Sequence, residues 1–343
     1  MGPILDKGWE RTMNNHPGRS QKPPVCPGWT RREFLKSLAA SAAALPAVSP
    51  ILAAPRESPP VPAPRALTSI GLCKRYDYAE VRRALSVMLD ELGDVRSLVK
   101  NQFVTVKLNL VNTSEEALGG LPLWLTVTVH PVVAMALGSL LVDYGAKQVT
   151  YCDQLPFPAL GEEAFAGYGY RLGEFNQAMD GKARFVNTRN RGGFDSYALV
   201  KVPGGGEIAS CWEVNQTYIK TDVLVSLGKL KSHVAAGVTG GMKILYGVPP
   251  SSLYGDDLGN EPNEDAVGYR SGTMHTCTKK PLTSVESFTG KTVENDHGFN
   301  VPRLIVDLNA AFPIQLVVID GISSIQSAEG WWIGSLVSVC RPG

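Results

Sequence analysis

Two periods of hydrophobic positions run through the chain, and they alternate. Tyr78 to Leu92 carries Val81, Leu85, Met88, Leu89 and Leu92 at helical spacing, which predicts an amphipathic helix. Phe103 to Leu108 (FVTVKL) is β-branched and mostly apolar, the signature of a buried strand. Val132 to Tyr144 is predicted as a helix by its ends, with Pro131 at a first-turn position and Gly145 as its C-cap. Gln148 to Tyr151 reads as the next strand and leads into Asp153, and Ser69 to Cys73 reads as a short strand at the start. The order β-α-β-α-β predicts an α/β fold with a mostly parallel central sheet and covering helices.

Further along, Phe165 to Met179 predicts a helix around Gly167 and Gly169, and Arg184 to Asn187 a short strand. Tyr197 to Val202 and Glu207 to Cys211 flank Gly204, Gly205 and Gly206 and predict a hairpin. Val223 to Leu227 is an apolar strand running into a cationic, glycine-rich stretch. Residues 110–128 read as a loop, and Ser251 to Asn300 as a long polar one containing His275 and His297, of a length that tends to be functional in compact domains. Val301 to Phe312, with Pro302 in its first turn, predicts a helix, and Ile314 to Ile319 a strand ending at Asp320-Gly321. The strand Ser335 to Val339 follows Trp331-Trp332 with no covering element after it, which predicts a C-terminally truncated domain.

The amino-terminal part is of another kind. Residues 1–29 are polar and lack apolar periodicity, the pattern of a disordered extension. Residues 30–54 hold Arg31-Arg32-Glu33-Phe34-Leu35-Lys36 and then a modest alanine-rich run, the pattern of a twin-arginine export signal. The run is broken by Pro46 and Pro50, too soon for the roughly 20 apolar residues of a stable membrane span. Met13 is an alternative start. A Pro-rich linker at 55–65 leads to the folded domain at 66–343. This organisation predicts a protein handled by the twin-arginine translocation machinery and delivered to the periplasm or another extracytoplasmic space. That route carries folded proteins and is compatible with a cofactor loaded in the cytoplasm.

Composition narrows the classes. With 33 Lys+Arg against 32 Asp+Glu, the net charge of +1 lacks the basic excess of a nucleic-acid footprint. The six cysteines at 26, 73, 152, 211, 277 and 340 have no C-x-x-C spacing, so the chain encodes no iron–sulfur cysteine motif. G-x-S-x-G, H-E-x-x-H, Walker-lysine and G-x-G-x-x-G motifs are absent as well.

The candidate chemistry lies at strand ends. Lys107 and Asn109 follow one strand, Asp153 another, Lys229, Lys231 and His233 a third, and Asp320 a fourth, while His130 precedes a helix. In an open α/β sheet these positions converge on the carboxyl-end crevice, where ligands bind. Gly237, Gly240 and Gly241 ahead of Lys243 predict a glycine-rich helix entry with N–H groups turned to an anion. Lys107, Asn109, Lys229, Lys231 and Lys243 are therefore the candidates for holding a small anionic ligand. His233 and His130 are the candidate acid/base groups, since imidazole titrates near neutrality. Asp153 and Asp320 are candidates for a divalent metal or for orienting a histidine. Each has a plainer alternative: solvated lysines, a histidine or aspartate capping the next segment, a turn at Asp320-Gly321.

Five blocks resemble the domain of unknown function 362 family: Val106-Lys107-Leu108-Asn109-Leu110-Val111, Thr128-Val129-His130-Pro131, Gly228-Lys229-Leu230-Lys231-Ser232-His233, Gly237-Val238-Thr239-Gly240-Gly241-Met242-Lys243 and Ile305-Val306-Asp307-Leu308-Asn309. The resemblance runs in order from about residue 68 to the end. It implies an α/β domain, joined in many members to a ferredoxin-like module with iron–sulfur cysteines, and it singles out Lys107, Asn109, His130, Lys229, Lys231, His233 and Lys243. Ile244 stands where members often carry Asn, and the family's last segment lies beyond Gly343. Three readings follow: an exported protein binding or converting a small anionic substrate, with or without a metal; an accessory protein docking to a redox partner through Trp331-Trp332 and the 251–300 loop; or a non-catalytic periplasmic binding protein.

Overall fold

The structure, a computed structural model, describes residues 66–111, 121–155, 161–189, 197–233, 235–255, 271–275, 298–326 and 335–337. The chain divides into two units, Met1–Pro64 and Arg65–Gly343, and every described residue belongs to the second. The predicted export signal, its linker, His297 and Trp331-Trp332 lie outside the described residues, as does most of the 251–300 loop.

The unit is an α/β fold built on five parallel strands. β1 (Phe103–Lys107), β2 (Gln148–Asp153) and β3 (Ala183–Asn187) form one half. The sixth and ninth strands in chain order, β6 (Val223–Lys229) and β9 (Leu316–Asp320), form the other. Their order across the sheet is β3-β2-β1-β6-β9, with every pairing parallel. The chain winds outward from β1 in one direction, then returns to β1's other side and winds outward again. The gap between the carboxyl ends of β1 and β6 is thus the topological switch point, where open α/β sheets hold their ligands.

Both faces of the sheet are covered. On one, α1 (Tyr78–Glu91), α4 (Pro131–Asp143) and α5 (Leu172–Ala178) pack over Val104, Val106, Val149, Tyr151, Val225 and Leu227. Two short helices, α2 (Val95–Val99) and α3 (Leu123–Thr126), lead into β1 and α4. α4 is apolar nearly all round, as its burial requires, and Gly138 lets it approach β2. A Cβ there would collide with the hydroxyl of Tyr151, which donates to Ala134 O at 2.8 Å. On the other face, α7 (Val301–Ala311) and the antiparallel hairpin β4 (Tyr197–Lys201) and β5 (Cys211–Asn215) bury Leu304, Leu308, Trp212 and Val214 against Leu224 and Cys152. The one-turn α6 (Ser251–Tyr254) adds Leu253 and Tyr254 to that core.

Several elements differ from the sequence expectation: the one-turn helices α3 and α6 fall within 110–128 and 251–300, both read as loops. Ser69 to Cys73 is not a strand: only Cys73 is buried, while Ile70 and Leu72 are 85% and 82% exposed. The helix expected over Phe165 to Met179 is two pieces, a 3-10 segment Glu162–Tyr168 and α5, because Gly169 turns the chain at φ +81°. The hairpin's second arm is Cys211–Asn215 rather than Glu207 to Cys211. Residues 207–209 are drawn out of the ladder by Asp307 on α7, whose carboxylate accepts the backbone N–H groups of Glu207, Ile208 and Ala209 at 2.6, 2.7 and 3.1 Å. Finally, the glycine-rich stretch opens no α-helix. It forms the hairpin β7 (Lys231–His233) and β8 (Gly237–Thr239), then a 3-10 turn Lys243–Gly247. The remaining pieces, β10 (Ser324–Gln326) and β11 (Ser335–Val337), pair antiparallel.

Candidate functional site

The switch point is flanked by two buried lysine–aspartate pairs. Lys107, the last residue of β1, reaches across to Asp153, the last of β2, at 2.6 Å, with side chains 2% and 3% exposed. Lys229, the last of β6, pairs with Asp320, the last of β9, at 3.0 Å, both at 0%. Each pair joins neighbouring strands on its own side of the gap.

The partners are nearly saturated. Lys107 Nζ also donates to Leu108 O at 2.7 Å. Asp153 accepts the N–H of Leu110 at 2.7 Å and of Gln154 at 2.8 Å. Gly247, from the 3-10 turn, roofs this pair: a Cβ there would lie 3.0 Å from Lys107 Nζ. Lys229 Nζ donates to Tyr76 Oη at 2.8 Å and to Trp124 O at 3.2 Å as well as to Asp320, which uses its three protons. Asp320 accepts Tyr76 Oη–H (3.0 Å) and Ile322 N–H (3.2 Å) on Oδ1, and Lys229 and His130 N–H (3.1 Å) on Oδ2. Burial pushes Asp153 above the ordinary carboxylate value against the pull of Lys107, and pushes Lys229 below the ordinary ammonium value against the pull of Asp320.

The structure brings Lys107, Asn109, His130, Asp153, Lys229 and Asp320 to one end of the sheet. Asn109 is buried and its Oδ1 lies 3.4 Å from Lys229 N, tying the segment after β1 to the end of β6. His130 is the N-cap of α4: its Nδ1 accepts Val132 N–H at 3.1 Å. Its ring is stacked on Tyr76 with centroids 3.7 Å apart and planes at 6°. Burial, then the ammonium of Lys229, pushes its pKa down to about 3, so the ring is neutral at pH 7. Lys231 and His233 are buried on β7, and His233 Nδ1 accepts the N–H groups of Ala235 and Ala236 at 3.1 and 3.2 Å. Lys243 is half-buried beside the Tyr246 ring, 5.6 Å from its centroid, and the His275 ring also packs against Tyr246, with centroids 5.5 Å apart.

The two aspartates do not share a site. Asp153 and Asp320 end strands separated by two others, so about 14 Å of sheet lies between their backbones, beyond the span of one ion's ligands. Among the described residues, no three His, Cys, Asp or Glu side chains form a group able to hold a metal. Cys73, Cys152 and Cys211 lie on separate elements and form no disulfide with one another, and burial pushes Cys152 up to about 12. These residues do not fit an iron–sulfur cluster.

Tyr76 and Ser323 complete the site without a signal in the sequence. Tyr76 sits in the coil before α1, where no periodicity marks it, yet its hydroxyl meets Lys229, Asp320 and Ser323 Oγ, the last at 3.0 Å. A groove of about 740 Å³ lies elsewhere, over the amino-terminal half of β1–β3, lined by Phe103, Thr105, Gln148, Thr150, Arg184 and Lys220 among others, and contains none of the candidate residues. The strand-end cluster is the better candidate, because convergent buried polar groups, rather than open volume, distinguish it.

A search among curated proteins returns no match. Among solved structures, the chain is similar to the lactate racemase apoprotein from Thermoanaerobacterium thermosaccharolyticum, with 15% identity and a TM-score of 0.31 over 68% of this chain and 44% of that one. The chain thus spans less than half the length of that protein. Residues 104–337 match the family model described as "Domain of unknown function (DUF362)", a span that opens on β1 and takes in every candidate residue from Lys107 to Asp320. With both halves of the sheet and both ion pairs inside the matched region, the chain belongs to the domain of unknown function 362 family.

Proposed function

We propose that the crevice between the carboxyl ends of β1 and β6 binds a small anionic ligand. The observation that carries this reading is the convergence of Lys107, Asn109, His130 and Lys229 on the switch point of a doubly wound sheet. The two ion pairs act here as scaffold: each lysine is held by an aspartate, so the pairs fix the strand ends and set the local field. Direct contact with the ligand falls to the β7–β8 hairpin, with Lys231 and His233, to Lys243, and to His130.

Titration calorimetry of the full chain with inorganic phosphate and with acetate tests the reading. A response to either that disappears in the Lys231→Met/His233→Asn double variant, with the unfolding temperature retained, is the expected result. Unchanged binding by that variant sinks the assignment. The paired arginines at 31 and 32 support a second proposal, that the protein acts outside the cytoplasm after twin-arginine export.

A further inference from the structure

One ring at the crevice is held rigidly and keeps one nitrogen open. His130 is held three ways: Nδ1 accepts Val132 N–H at 3.1 Å, its backbone N–H donates to Asp320 at 3.1 Å, and its ring lies flat on Tyr76 at 3.7 Å. An amide hydrogen directed at Nδ1 leaves no room for a proton there, so the neutral ring carries its hydrogen on Nε2. Among the described residues, that Nε2–H meets no hydrogen-bond partner, and it is not one of the polar atoms sealed from solvent without one.

The surroundings also oppose a second proton. It would enter against the Val132 N–H, and the new cation would face Lys229, whose ammonium lies 5.3 Å from the centroid of the same Tyr76 ring. Asp320 offers no relief. Its two oxygens already accept from Tyr76, Ile322, Lys229 and the His130 backbone. The Tyr76 hydroxyl is committed to Asp320, Lys229 and Ser323. Desolvation, and after it the Lys229 cation, act in the same direction on the imidazole.

We propose that His130 is a fixed, neutral hydrogen-bond donor, presenting Nε2–H to an oxygen of the anionic ligand rather than removing a proton from it. This rests on the crevice being the ligand site, and acetate is the probe for the oxygen it meets. A neutral imidazole at a helix start is a known device for polarising an oxygen without adding a full charge.

The test combines tautomer and binding. Two-bond proton–nitrogen spectra of the full chain labelled on histidine nitrogen, assigned by loss of the signal in His130→Asn, read the ring directly. The expected pattern at pH 7 is a bare Nδ1 and a protonated Nε2 that stays so down to pH 5. Acetate is expected to shift the Nε2 resonance. His130→Asn keeps an N-cap acceptor while removing the donor, and is expected to raise the acetate Kd at least tenfold at an unchanged unfolding temperature. A protonated Nδ1 or an imidazolium at pH 7 overturns the proposal whatever binds. Acetate bound equally by His130→Asn overturns it while leaving the crevice reading intact. Failure of wild type to bind either acetate or phosphate overturns the crevice reading and the proposal with it.

Discussion

Burying a lysine and an aspartate together removes two charges from water, and their attraction offsets that cost only while both are present. At 2.6 Å with neither side chain more than 3% exposed, Lys107–Asp153 is such a pair. Lys107→Met alone is expected to destabilise the domain by about 3–5 kcal/mol, because it strands a buried carboxylate, while Lys107→Met/Asp153→Leu is expected to cost less than that single change. Urea unfolding of the three proteins checks this, and a strictly additive double variant would show that the pair is not coupled. A second expectation concerns pH. With His130 held at about 3 against 6.5 in the unfolded chain, unfolding takes up a proton between those values. Its contribution to stability is therefore complete above pH 6.5 and is lost as the pH falls toward 3. Wild type is expected to lose about 2 kcal/mol more than His130→Asn between pH 7.5 and pH 4.5, allowing for the ring's partial exposure. Equal losses in the two proteins would show that the ring titrates normally. The residue types at these strand ends were legible in the sequence, but their partners were not. Lys107 and Asp153 lie 46 residues apart and Tyr76 and Asp320 lie 244 apart, distances over which only strand order decides who meets whom.

Elements are tied to the sheet by single positions. Gly138 lies in mid-helix, where glycine is disfavoured by roughly 1 kcal/mol relative to alanine. The contact with Tyr151 reverses that preference. Gly138→Ala is expected to destabilise by about 1–3 kcal/mol through overpacking, seen as a lower Tm; a stabilised variant would mean that α4 can move off β2. Asp307 ties α7 to the β4–β5 connection in the same way. Asp307→Ala leaves three backbone N–H groups without their acceptor and is expected to cost about 2–4 kcal/mol, measured by chemical unfolding. α1 and the five sheet strands could be read from their apolar pattern, and α4 and α7 from the proline in their first turns. The hairpin's second arm could not: glycine marks where the chain turns, but the carboxylate that pulls residues 207–209 from the ladder belongs to a helix about 100 residues further on. The β7–β8 hairpin was missed for a related reason. Glycine suits a helix entry and a hairpin equally, and the choice fell to the pairing of Lys231 with Thr239.

At the scale of the molecule, the parallel sheet was legible because strand and helix periods alternate, and its crevice follows from that alternation. The amino-terminal segment carries its own expectation. Arg31→Lys/Arg32→Lys is expected to retain the protein in the cytoplasmic fraction, read by cell fractionation, and undiminished export would rule out the twin-arginine route. The strand order has a consequence for how the site comes into being. β1 finds its second neighbour only when the chain returns, so that Phe103 N–H meets the Asp222 carboxylate across 119 residues of sequence. High contact order of this kind slows folding and leaves β1 with one open edge until β6 emerges from the ribosome. A nascent chain holding β1 to β3 has Lys107 and Asp153 in place but no crevice. The proposed site is assembled only at the closing steps of folding, so binding there would report that the chain has been made through β6 and β9 and has closed.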